Sequence, residues 1–599
     1  MPMGISKDKK YFCIHRGHNA SCAVMIGGRV VAAIEEDRFS GIKNDAGFPY
    51  QAIKWCLDYT KTTLDEYDEI AYSSIYFPSI YTKAKHRVNF GVGEYREYYE
   101  TEYLRKTDKD FEFRYLKNLR DSFKFNSHQN YLDFTFLNDE ALKNRALDKE
   151  LFQKEQVDYL VRTFGVPREK VRFLDHHLCH AYYAYFASPF RKERCVVLVL
   201  DGGGDGRKQS VWIAENDDIS LVAESNENDL GKIYKLATLI LGLRPDNDEY
   251  KVMGLAPYAK ESRVRKLTQV FESLLQVDGM VVRHKNMPVD LWHYLRSGLT
   301  DARFDDVAGA VQLYFENCLS GLVSNICHEL KCDRLVFSGG ASLNVKANKV
   351  LSDLPCIKDF FVCASGGDET LCIGGCYLLN SGAPSHPLGS MYLGFDVSEE
   401  AKAFDFSEYR GIFNVRKNVG PETIGRLLAD GNIIARMSGR SEYGARALGN
   451  RSILAHPGVS GIKEQLNKSI KKRDFWMPFA LTILEEYSDE VILNPKKISA
   501  PWMSIAFDTK ERFHRQIFNG VHPYDLTARP QILRTSDNPD YYAIIDEFRK
   551  LTGIPAILNT SFNLHESPLC LRIRDGLKAF MESGLKYLLI DNILLKKGV

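Results

Sequence analysis

The segment Cys195-Val196-Val197-Leu198-Val199-Leu200-Asp201-Gly202-Gly203-Gly204-Asp205 decides the fold. It opens with a continuous apolar run, the pattern of a strand buried on both faces, and ends in an acidic, glycine-rich turn. Leu335–Phe337 repeats the pattern and ends in Ser338-Gly339-Gly340. Upstream, a first strand begins at Tyr11, and Ala20–Ile26 and Val30–Ile34 flank the Gly27-Gly28 turn as the arms of a hairpin do. Pro49–Tyr59 follows with helical spacing. Downstream, Asn432–Met437 and Ala556–Leu558 are strand-like and Pro421–Ala429 is helical. Buried strands alternating with helices place the chain in the α/β class.

With 599 residues the chain exceeds one ordinary core, so two large domains or several small ones are expected. The Ser-, Gly- and Pro-rich stretch Leu378–Gly394 is the best linker, dividing residues 1–385 from residues 392–599. The charged, aromatic stretch from 83 to about 150 reads as a helical insertion, either a solvated decoration or a substrate lid. Lys plus Arg total 79 against 78 for Asp plus Glu, a balance that argues against a nucleic-acid footprint or an acidic lipid surface. No apolar run approaches the ~20 residues that span a bilayer. The opening residues lack the apolar core of a secretory signal. Thirteen scattered cysteines without a C-x-x-C pair fit a reduced, cytoplasmic compartment. Cys179, although it lies between histidines, reads as a small packed hydrophobe.

Four motifs carry chemistry. In Asp175-His176-His177-Leu178-Cys179-His180 a helix puts His176 and His180 on one face and turns His177 away. Core or capping histidines have the same spacing, but Asp201 and Asp368 at strand ends would complete a set of two imidazoles and two carboxylates. Such a set suits Fe2+, Zn2+ or Mn2+ with an open position. The turns Asp201–Gly206, Ser338–Asn344 and Gly366-Gly367-Asp368 could admit phosphate to backbone N–H groups, helped by a following helix N-terminus, though none is a Walker loop. In Ser438–Ser452, Arg440, Arg446 and Arg451 interleave with glycines, an arrangement suited to anions; Lys471-Lys472-Arg473 and Arg529 add positive charge. Asn559-Thr560-Ser561-Phe562-Asn563 offers small polar groups that could orient a ligand or merely form a turn.

Taken together, these motifs resemble the carbamoyltransferases of antibiotic and nodulation-factor biosynthesis over nearly the whole chain. The most specific pieces are EEDRFS (Glu35–Ser40), HHLCHA (His176–Ala181), EYKVMGLAPYA (Glu249–Ala259), GGASLN (Gly339–Asn344), GRSEYGARALGNRSIL (Gly439–Leu454) and NTSFN (Asn559–Asn563). The resemblance implies an N-terminal actin-like (ASKHA, Kae1-like) ATPase domain with duplicated α/β subdomains and a C-terminal YrdC-like α/β domain. It implies that the C-terminal domain makes carbamoyl adenylate from carbamoyl phosphate and Mg2+-bound ATP. The N-terminal domain would then transfer the carbamoyl group to a hydroxyl, less often an amine, of a small natural product. Arg446, Arg529 and Ser561 match contacts to carbamoyl phosphate and Lys471 one to ATP. Lys43, Gly339, Gly340 and Asn344 match contacts to the nucleotide or adenylate. His176, His180, Asp201 and Asp368 match the metal ligands, and His18 matches the base that takes the acceptor's proton. Oligomeric state stays open, a homodimer being one option.

Four positions depart from the family pattern. Asn19 follows His18 where Asp is usual, so a carboxylate that would orient the histidine is missing. Met477 replaces a common Arg, for which a neighbour such as Lys472 could compensate; Ala445 replaces a Pro, and Glu566 a Gly. Rival readings are a threonylcarbamoyl-transfer enzyme acting on tRNA, a hydrogenase-maturation carbamoyltransferase, an actin-like-fold sugar kinase and a non-catalytic ATP sensor. Near-neutral charge weighs against the first and missing C-x-x-C pairs against the second. The kinase reading leaves the C-terminal domain unexplained, and lost site residues would be the first symptom of the sensor.

Overall fold

The computed structural model describes residues 8–76, 90–121, 137–409 and 411–598. The hairpin expected around Gly27-Gly28 is present: β1 (Lys10–His15), β2 (Ser21–Ile26) and β3 (Arg29–Glu35) form an antiparallel meander. β4 (Glu69–Tyr72) and β5 (Val171–Phe173) join it in parallel, giving the order β3-β2-β1-β4-β5. A second sheet repeats this plan. β6 (Cys195–Gly204), β7 (Arg207–Glu215) and β8 (Asp218–Ser225) form the meander. After the small hairpin β9 (Leu275–Asp278) and β10 (Val281–His284), β11 (Arg334–Ser338) and β12 (Asp359–Val362) extend the sheet in parallel, in the order β12-β11-β6-β7-β8.

Two helices lie between the sheets. His176–Ala187 packs on the second sheet, Leu371–Leu379 on the first, and the two pack on each other. The crossing is close because residue 374 is glycine: a Cβ there would sit 1.8 Å from the Cys179 carbonyl oxygen. This crossing brings His180 and Asp368 together, one from each helix region.

The C-terminal third forms one eight-stranded mixed sheet. It contains β13 (Phe413–Arg416), β14 (Ile434–Met437), β15 (Arg451–Ala455), β16 (Ala480–Leu484), β19 (Gln531–Leu533), β20 (Ala556–Ser561), β21 (Tyr587–Ile590) and β22 (Ile593–Lys597), with β17 (Phe507–Asp508) and β18 (Thr527–Ala528) as a separate pair. The order is β13-β22-β21-β14-β15-β20-β16-β19. Pro421–Ala429 is the expected helix, with Pro at its first turn where the missing N–H costs nothing.

Three local expectations change. The Leu378–Gly394 stretch is irregular after the helix ends at Leu379, but Leu388, Met391 and Leu393 are buried, so it is packed rather than loose. The Asp201–Gly204 run is the bulged end of β6, and β7 follows its turn, so no helix N-terminus stands behind Asp201–Gly206. Asp201 therefore lies within a strand rather than at its end. The described parts of the insertion are helical, at Val92–Glu100, Glu102–Thr107, Lys109–Asp121, Asp139–Lys143 and Arg145–Phe164. Its residues 83–89 and 122–136 lie outside the described set.

One apolar cluster runs from Leu322, Leu335 and Leu351 into Leu481, Ile505 and Leu533, so both parts of the chain share a core. Among the described residues no helix is long and apolar enough to cross a membrane. None of the thirteen cysteines is paired, and Cys179 is fully buried with its thiol pushed up by burial.

Candidate functional site

Asp175 caps the helix His176–Ala187 by accepting from the Leu178 N–H, which fixes where the two histidines begin their turn. His176 Nε2 lies 3.6 Å from Asp201 Oδ2 and 3.6 Å from Asp368 Oδ1, and His180 Nε2 lies 3.6 Å from Asp368 Oδ1. The four ligand atoms all fall within 4.8 Å of one another. At 3.6 Å these are not hydrogen bonds. Around one ion with bonds of about 2.1 Å, neighbouring ligand atoms stand about 3 to 3.5 Å apart, so the spacing suits a shared cation.

The chemistry of the donors points the same way. The His180 ring is fully buried, yet neither of its nitrogens has a hydrogen-bond partner among the described residues. The Ser74 hydroxyl donates to the Ser73 carbonyl at 2.8 Å and so accepts from His176 Nδ1 at 3.1 Å, leaving Nε2 as the ring nitrogen that faces the carboxylates. Burial opposes charge on His176, yet Asp368, then Asp201 and Asp205, outweigh it and raise its pKa to about 9. Burial pushes Asp201 up, but His176 and His180 pull it well below the usual carboxylate range. Two carboxylates and two imidazoles that must neutralise one another, with the His180 ring unclaimed, fit a divalent cation. His177 turns away as expected and bonds Ser210 Oγ at 2.9 Å.

Asp205 clamps the surroundings, accepting from the N–H groups of Ile75, Tyr76 and His176 at 2.9–3.0 Å. Gly340 N–H donates to Asp201 Oδ1 at 3.1 Å, which ties the Ser338–Asn344 turn to the same centre. Asn344 caps the helix Val345–Asp353 and exchanges hydrogen bonds with Gln312. His18 lies on the loop between β1 and β2, and its carbonyl accepts from His15 Nε2 at 3.0 Å. His15 is neutral, its pKa lowered to about 4 chiefly by burial.

A second centre is cationic. Burial and then Arg473 lower Arg446 to about 10; burial, Arg446 and Arg473 lower Arg529 far below its ordinary value. Burial, Arg473 and Lys43 lower Lys471. Lys43 stands exposed at the edge of the group, its pKa lowered by desolvation and, after the opposing Asp248 and Asp37, by Arg473. Lys471 Nζ donates to the Ser561 carbonyl, to Ser561 Oγ at 3.0 Å and to Asn563 Oδ1 at 2.6 Å. Arg473 donates to Thr560 Oγ1 at 3.1 Å. Five cations repel one another here, with no carboxylate paired to Arg446, Lys471, Arg473 or Arg529 among the described residues, an arrangement suited to an anion.

The arginine-rich motif divides. Arg440 donates to the carbonyls of Val31, Leu393 and Gly394, and Arg451, fully buried, to those of Ser438, Gly439 and Phe395. Both hold the loop, so of the three only Arg446 stands in the cation group. Met477 packs beside Gly254, and Lys472 is exposed in a left-handed turn. The extra cation is therefore Arg473 rather than Lys472. The sequence reading counts Arg473 among the added positive charge and Asn563 within the small polar motif but gives neither a contact of its own; the spacing Lys471-x-Arg473 facing Ser561-x-Asn563 is the signal that singles them out.

One loop joins the two centres. The Tyr443 hydroxyl donates to the carbonyl of Glu369, next to Asp368, while Arg446, three residues on, stands in the cation group. Glu35 and Arg38 hold Gly444 between them, Glu35 accepting its N–H at 2.7 Å and Arg38 donating to its carbonyl at 2.9 Å.

Known proteins resemble this chain along most of its sequence. The nodulation protein NolNO of Sinorhizobium fredii (strain NBRC 101917 / NGR234) is 29% identical, over 97% of this chain and 79% of that protein. An uncharacterized protein of Methanocaldococcus jannaschii, MJ1051, is 28% identical over 97% of this chain and 98% of its own. Among solved structures, T. kodakarensis HypF covers 63% of this chain and 48% of its own at 12% identity and a TM-score of 0.30, too slight a likeness to argue from. The family model described as Carbamoyltransferase N-terminus matches residues 10–377, and that described as Carbamoyltransferase C-terminus matches residues 425–597. With both halves matched in order, the His/Asp cluster in the first and all the cations but Lys43 in the second, the chain belongs to the carbamoyltransferase family and is a transferase.

Proposed function

We propose that the cation group activates the carbamoyl unit with ATP and that the His/Asp centre hands it to an alcohol. The observation that supports this reading is that one loop links the group of cations to the His/Asp cluster, through Arg446 at one end and the Tyr443 bond to Glu369 at the other. In the first step carbamoyl phosphate is cleaved by water to carbamate and phosphate. A carbamate oxygen then bonds to the α-phosphorus of Mg2+-bound ATP as the α–β bond breaks, giving carbamoyl adenylate and pyrophosphate. Arg446, Arg473, Arg529 and Lys471 offset the repulsion between the reacting anions, and Ser561 and Asn563 orient Lys471. In the second step the acceptor oxygen bonds to the carbonyl carbon, AMP leaves, and His18 takes the proton. A divalent cation held by His176, His180, Asp201 and Asp368 would supply Lewis-acid polarisation there. Gly339, Gly340, Asn344 and Lys43 contact the nucleotide.

The repeated five-stranded plan supports an actin-like, Kae1-like first domain, and the eight-stranded sheet a YrdC-like second domain, divided near residues 385–392. The acceptor is a small natural product with a free hydroxyl, chosen in part by the helical insertion. Pyrophosphate release is the test: it should require ATP and carbamoyl phosphate together. Release with ATP alone, undiminished by omitting carbamoyl phosphate, would refute the activation step.

A further inference from the structure

The departure at Asn19 has a partner. Asn19 Nδ2 donates to Glu369 Oε2 at 3.1 Å across 350 residues of chain. Glu369 is buried and directly follows Asp368. Its carboxylate also accepts from Ser365 Oγ, and its carbonyl accepts from Ser21 Oγ at 2.8 Å and from the Tyr443 hydroxyl. The side chain folds back over Gly367, where a Cβ would meet Glu369 Oε2 at 2.3 Å. Glu369 thus gathers the His18 loop, β2, the metal-ligand turn and the Tyr443 loop at one residue.

The backbone at Asn19 is left-handed, with φ 60°. Asn and Asp both tolerate that conformation, so backbone geometry does not choose between them. The hydrogen bond does: the Asn19 amide has an N–H to give to Glu369 Oε2, whereas an aspartate carboxylate has only acceptor oxygens to set against it. The carboxylate absent at position 19 is present at position 369, on the opposite partner of the same contact.

We propose that Glu369 is a positioning residue for His18, holding the His18-Asn19 loop in register with Asp368 through the Asn19 amide. The proposal rests on the reading of His18 as the proton acceptor, but the contact itself can be tested apart from it. The full-length protein is treated with diethylpyrocarbonate, and carbethoxylation of His18 is followed by peptide mass spectrometry in the wild type, Asn19→Asp, Glu369→Gln and the double variant. Asn19→Asp should free the loop and speed modification of His18 by about 10-fold, the change in loop opening that follows from losing one hydrogen bond of about 1.4 kcal/mol. The double variant again sets an amide donor opposite a carboxylate acceptor, with the two roles exchanged, and should return the rate to near wild type. A wild-type rate in Asn19→Asp, or a double variant no slower than Asn19→Asp, would overturn the proposal. Unfolding midpoints separate loop release from global destabilisation, since a merely misfolded single variant would not be rescued by the second change. AMP release from ATP and carbamoyl phosphate, with water as acceptor, reports on His18 separately. If His18→Ala matched the wild type there, the assigned base would fall, while the Asn19–Glu369 contact would still be decided by the modification rates alone.

Discussion

At position 477 a methionine packs beside Gly254, and the charge expected there comes from Arg473, four residues earlier. Among the described residues, Arg473 is the side chain whose charge is felt by Arg446, Arg529, Lys471 and Lys43 alike. Removing it should therefore relax the cluster in the free protein and weaken it against anions. Arg473→Ala should lower the rate of pyrophosphate release by about 10²–10³, the loss found when one preorganised donor to developing charge is deleted. Lys472→Ala, whose side chain is exposed, should leave that rate unchanged in the same assay. At this scale the sequence is informative about which residue types gather and poor about which of them are free. Arg440, Arg446 and Arg451 look alike in a string. Only burial and the surrounding carbonyls show that two are spent on holding a loop. Glu369 is silent for a related reason, because its partner lies far away in the chain.

Elements are easier to read than contacts. The apolar run of β6, the hairpin around Gly27-Gly28 and the two-histidine helix face all follow from periodicity, which depends on neighbours in sequence. What periodicity misses is the bulge that keeps Asp201–Gly204 in a strand, since a glycine run signals a turn and a bulge equally well. The segment around His522 shows how an element can carry a pH response. His522 Nε2 donates to the Gly254 carbonyl at 2.8 Å, and its Nδ1 faces the N–H groups of Tyr524 and Asp525 at 3.3 Å. Burial first, then Lys346 and Lys463, lower its pKa from 6.5 to about 4 against the Gly254 bond. The neutral ring is thus favoured by folding. Its contribution is complete above pH 6.5 and is lost as pH falls toward 4, on the order of 3 kcal/mol at most. Thermal unfolding measured from about pH 7 to about pH 4 should show a flatter decline in His522→Asn than in the wild type.

Over the whole molecule, the two matched halves do not meet at a thin hinge. Lys496 Nζ donates to the carbonyls of Ser352, Leu354 and Ile357 at 2.7–2.8 Å, Trp476 donates to the Lys251 carbonyl at 3.2 Å, and the apolar cluster is continuous across the boundary. A composition shift at Leu378–Gly394 marks where the chain changes partner sheets, but it cannot reveal that the stretch is packed. Fragments 1–385 and 392–599, produced separately, should co-elute when mixed, because each alone exposes its share of that core. Elution as two independent soluble species would show the interface to be weaker than its packing implies.

The loop from Tyr443 to Arg446 sets a dimension as well as a connection. One end is bonded beside Asp368, the middle is gripped by Glu35 and Arg38, and the other end stands among the cations. Ala445 between them is exposed. The loop's number of residues is not free. Adding or deleting one would shift one anchor along the chain relative to the other, so the stretch acts as a gauge whose length, rather than composition, the two centres hold in common.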